Sequence, residues 1–160
     1  MKRPIWIRLL SAFLLWTALR SVYFVYLGDA DGDYRLASEN GFGPAVWIGE
    51  ILYAFLATGT VVAIWLRWKH VLMLTTVALA VYTSVMLFQL QQMEANPIKA
   101  KEAYAASRRA RGLPVNNENL DALFSETGRR FAWAMGAVFT LGPLAIVLWR
   151  RADLSPSNVE

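Results

Sequence analysis

Four apolar runs constrain this chain more than any other feature. They cover Ile5–Leu27, Pro44–Leu66, Val71–Met93 and Phe131–Trp149. Each is close to the ~20 helical residues that cross the hydrocarbon of a bilayer. Lipid offers no hydrogen-bond partners, so a spanning segment must satisfy its backbone internally, and an isolated apolar run does so as a helix. Cations and aromatics flank these runs as Lys2 and Arg3, Arg67-Trp68-Lys69, Arg129-Arg130 and Trp149-Arg150-Arg151. Such side chains are at home at headgroup level. The expected fold is all-α: one polytopic membrane domain over residues 1–160, with four transmembrane helices and a short helical, basic extramembrane segment between the third and fourth.

The connections differ in character. "MKR" before an apolar core resembles a secretory leader, but the stretch continues past Arg20 through "SVYFVYLG", too long and aromatic for a cleavage region, so it reads as a span. "RWKH" between the second and third spans forces a tight antiparallel hairpin. Residues 94–130 are long and basic. There Asn96 reads as an N-cap, Pro97 as the first helical residue, and Gly112 as the stop after Arg108, Arg109 and Arg111. Asn117 is expected to cap a second short helix, with Leu120, Leu123 and Phe124 on one side, lying on the membrane surface.

Composition removes several classes of function. The chain is 56% hydrophobic and has no cysteine and one histidine, His70. Disulfides and thiolate chemistry are thereby excluded, as are bis-histidine haem and multi-histidine metal centres within one chain, and no cofactor is expected. His70 reads as an interface residue. There is no G-x-S-x-G elbow, H-E-x-x-H helix or Walker A loop, and the intramembrane carboxylate is single, so no enzyme is expected. The net charge of +4 is modest, and its cations sit beside apolar runs. That placement suits anionic phospholipids and not nucleic acid. Arg108, Arg109, Arg111, Arg129 and Arg130 are the expected contacts to such lipids or to a partner's acidic surface.

"DADGDY" raises the question of a calcium loop. Asp29, Asp31 and Asp33 occupy its first, third and fifth positions, but the sixth is Tyr34 instead of Gly and the twelfth is Asn40 instead of Glu. The stretch is therefore expected to be an acidic, hydrated turn, with weak cation binding as the alternative.

The stronger lead lies inside the spans. Arg20 is seven residues before Leu27 and Glu50 six after Pro44. At about 1.5 Å per residue both lie on the order of 10 Å from one membrane face. Charges at such depth are costly and face a partner, so an Arg20–Glu50 pair across the first hairpin is expected. Thr75, Tyr82 and Gln89 recur every seven residues and share a helix face, which brings Gln89 to the same level. Tyr23 and Tyr53, each three residues from a charge, are expected to rim a polar cluster of Arg20, Glu50 and Gln89, which reads either as a structural ion pair pinning the helices or as a small binding cavity. Gly59-x3-Ala63 and Ala132-x3-Gly136 are spacings that allow close helix packing, and Pro143 is expected to kink the fourth span.

These features predict a small protein of the bacterial inner membrane, both termini cytoplasmic, acting as a non-enzymatic accessory, scaffold or subunit of a complex. Its partner would be another membrane protein or a second copy of itself. The alternative is a small oligomeric transporter or channel using Glu50 with Arg20 as countercharge.

Overall fold

The structure, a computed structural model, describes residues 4–27 and 33–154. It is all-helical, with no strand among the described residues. The order is α1 (Ile5–Leu27), α2 (Asp33–Glu39), α3 (Gly43–Trp65), α4 (Val71–Ala95), α5 (Pro97–Ala110), α6 (Asn117–Phe124), α7 (Glu126–Trp149) and α8 (Arg151–Leu154). Helices α1, α3, α4 and α7 are long and apolar enough to cross a membrane, as in a multi-pass membrane protein.

The long helices pack in antiparallel succession, α1 on α3, α3 on α4 and α4 on α7. The main core joins Leu14 and Ala18 of α1, Tyr53, Ala57 and Ile64 of α3, Leu79 and Tyr82 of α4, and Val147 of α7. Phe13 of α1 meets Tyr82 edge-on, so α1 also reaches α4. Helix α7 rests chiefly on α4, where Gly136 lies against the Leu90 side chain. The spacing Ala132-x3-Gly136 is thus used at its second residue. Gly59 is different: nothing lies within 4 Å of where its Cβ would stand. The first small-x3-small spacing contributes Ala63 to the core, while Gly59 faces outward. Helix α7 continues through Pro143 to Trp149.

The shorter helices gather at one end. α2 begins inside the stretch that reads from sequence as an acidic turn; Asp33 opens it, and Asp29 and Asp31 lie outside the described residues. Leu36 of α2 packs with Ala100 and Ala103 of α5, backed by Met93 and Phe124. Asn96 caps α5 by accepting from the Lys99 N–H at 3.1 Å, and Gly112 follows it at φ +69°, the left-handed conformation that favours glycine. The cap of α6 is Asn116 and not Asn117. Asn116 has an extended backbone and accepts from the N–H groups of Glu118 and Asn119, while Asn117 is already helical. Leu120 is buried, whereas Leu123 is exposed. Ser125 caps α7 through the Gly128 N–H.

The opposite end is closed by the α3–α4 hairpin and the tail of the chain. Arg67 there has φ +54°. Its N–H bonds to Ile64 O at 3.3 Å and that of Trp68 to Ala63 O at 3.0 Å, the two bonds of a Schellman ending. Trp6 Nε1 donates to Asp153 at 3.0 Å, tying the start of α1 to α8.

Candidate functional site

The interior of α1, α3 and α4 holds a polar column beginning with Thr17 and Ser21. These lie one turn apart on α1, as Glu50 and Tyr53 do on α3 and Met86 and Gln89 on α4. All but Met86 are buried. The Thr17 hydroxyl donates to Phe13 O at 2.8 Å, which leaves its oxygen to accept from the Tyr53 hydroxyl at 2.5 Å. The Tyr53 ring lies 4.9 Å from that of Tyr82.

One turn nearer the α2 end, Glu50 joins three helices. Ser21 Oγ donates to Glu50 Oε2 at 2.5 Å, and Gln89 Nε2 donates to Oε1 at 3.1 Å. Only 6% of the Glu50 surface is exposed, so these two donors supply what water would give an open carboxylate.

Of the expected cluster, Glu50 and Gln89 meet directly. Arg20 is half-buried and directs Nη1 to Met86 Sδ at 3.8 Å. Its neighbour Ser21, turned about 100° round the helix, donates to the carboxylate. Thr75, Tyr82 and Gln89 all face inward. Tyr23 does not join the rim; it is 53% exposed because α1 turns Leu14, Thr17, Ala18, Ser21 and Phe24 inward.

Ser21 and Thr17 are the members that sequence reasoning missed. Their four-residue spacing beside Arg20 was the available signal.

The basic residues near α5 and α6 mostly engage their own chain. Arg129 pairs with Glu94 at 3.1 Å and donates to Phe124 O at 2.9 Å. Arg130 pairs with Glu126 at 2.5 Å, and Lys101 with Asp121. Arg108 bonds to Pro114 O at 3.0 Å and lies over the Tyr104 ring, and Arg111 reaches Ser107 O. Arg109 projects outward. His70 precedes α4 and meets Trp68 edge-on. Among the described residues no group of three or more acidic or histidine side chains is placed to hold a metal ion.

No family model matches the chain, and no curated protein or solved structure matches it either.

Proposed function

We propose that the chain is a non-enzymatic accessory, scaffold or subunit protein of a membrane complex, set in a bacterial inner membrane with both termini in the cytoplasm. In this reading α1, α3 and α4 are a rigid core, α2, α5 and α6 form an extramembrane layer, and α7 offers an outer face to a partner protein. One observation supports it above the rest: both oxygens of the buried Glu50 carboxylate are taken by the chain's own donors, Ser21 and Gln89. A carboxylate held from two neighbouring helices is a clasp. Interhelical hydrogen bonds in membranes contribute on the order of 1 kcal/mol each, enough for two of them to fix how three helices meet.

The second reading is a small oligomeric transporter or channel with Glu50 titrating and Arg20 as countercharge. It draws on the half-buried Arg20, whose Nη1 reaches Met86 Sδ of α4, one turn from Gln89.

Extraction of the full chain from native membranes in mild detergent, with its companions identified and their ratio measured, separates the two. A different membrane protein in fixed ratio supports the subunit. A homo-oligomer whose reconstituted proton-linked uptake is lost in Glu50→Gln overturns it in favour of the transporter.

A further inference from the structure

The two ends of the molecule handle their cations differently. At the α5–α6 end, Lys101, Arg129 and Arg130 are paired with Asp121, Glu94 and Glu126. At the other end stand Arg8, Arg67, Lys69, Arg150 and Arg151, all exposed. The one acid described there is Asp153, whose carboxylate accepts from Trp6. Among the described residues none of these five cations forms an ion pair.

Their surroundings are aromatic. Trp65, Trp68 and Trp149 are each more than half exposed at the same end. Arg150 lies over the Trp149 ring at 4.8 Å. Exposed indoles beside unpaired cations, at the ends of apolar helices, match the boundary between acyl chains and headgroups. Arg67 adds a detail: it holds a left-handed conformation at φ +54°, where glycine would fit with less strain. The cation is kept at a position whose backbone disfavours it.

We infer that this end binds the anionic headgroups of phospholipids, through Arg67, Lys69, Arg150 and Arg151 set among Trp65, Trp68 and Trp149. The cations are spread over the end of α3, the α3–α4 turn and the end of α7. That arrangement complements a layer of phosphodiesters better than a single soluble anion. A cation at the surface of an anionic leaflet favours binding by a factor of about five. The surface is distinct from the basic residues of α5 and α7 that face the layer of short helices.

The test uses the full chain in vesicles of phosphatidylcholine and phosphatidylglycerol, with one or the other lipid brominated to quench tryptophan. The relative binding constant of phosphatidylglycerol over phosphatidylcholine is expected to be about five-fold in favour of the anionic lipid. It should fall to near one in Arg67→Gln/Lys69→Gln/Arg150→Gln/Arg151→Gln and recover when the three arginines are instead changed to lysine. The lysine variant guards against a folding defect in the first. Equal binding of the two lipids by the wild type overturns the inference. So does a preference that survives the four-fold change and is lost in Arg108→Gln/Arg109→Gln/Arg111→Gln. Abolition of the preference by excess soluble glycerol phosphate would also overturn it, since the site would then be one for a free anion.

Discussion

Helices α3 and α7 are near twins by composition and opposites by position. They have 23 and 24 residues, and their most apolar windows have mean hydropathies of 1.7 and 1.9, yet 44% of one window is buried against 17% of the other. Helix α3 lies between α1 and α4 and presents Val46, Glu50, Tyr53, Ala57, Thr60 and Ile64 to them, at alternating intervals of four and three. Helix α7 buries only Gly136, Thr140 and Val147, a narrow stripe against α4. Hydropathy therefore tells that a helix can cross a bilayer but not whether protein or lipid surrounds it. What separates the two is polar chemistry. Lipid tails are as apolar as leucine, so polar groups and small residues decide which face turns inward.

The sharpest way to break this contrast is at Tyr53, which is 1% exposed, stacks on Tyr82 and bonds to Thr17. Tyr53→Ala is expected to cost about 3–5 kcal/mol in unfolding from mixed micelles, the range for removing a buried aromatic ring. A loss below ~1 kcal/mol would mean α3 is not the centre of the core. Glu50→Leu should follow, at about 1–3 kcal/mol, because Ser21 and Gln89 keep their donors and lose their acceptor. On α7, Gly136→Leu is expected to cost about 1–3 kcal/mol by driving into Leu90, and to raise protease cleavage in residues 111–116 as α7 lifts from α4. The smallest effect belongs to the outer side of α3 itself. Gly59→Ala meets open space, so it should leave stability unchanged or raise it by about 0.5–1 kcal/mol, read in the same unfolding assay. A clear loss there would place protein against that face.

Much of this was legible before the coordinates. α1 and α4 begin where the apolar runs begin, because lipid-length hydrophobicity and flanking cations are strong signals. Asn96, Pro97 and Gly112 were readable for the same kind of reason: each has a conformational role that few other residues fill. α2 was hidden because seven residues bury only Leu36 and Ala37, and its stability comes from packing on α3 and α5. The cap of α6 was misplaced by one because Asn116 and Asn117 are chemically identical, and only backbone conformation chooses between them.

In the polar column, depth along the helix was computable and rotation about it was not. Depth brought Glu50 and Gln89 to one level, and they meet. The contact of Ser21 with Glu50, and the outward turn of Tyr23, depend on how α1 rolls against α3. That roll is set by Leu14, Thr17 and Ala18 together, not by the charge of any one residue.

The short α3–α4 turn has a consequence for how the protein enters its membrane. With only residues 66–70 between them, the two helices are tethered closely enough for entry as a hairpin to be favoured. Glu50 is fifteen residues before the end of α3, and Gln89 eighteen after the start of α4, so the folded hairpin already brings amide and carboxylate to a common level. The hairpin thus carries within itself one donor for the carboxylate, so that contact needs no third helix.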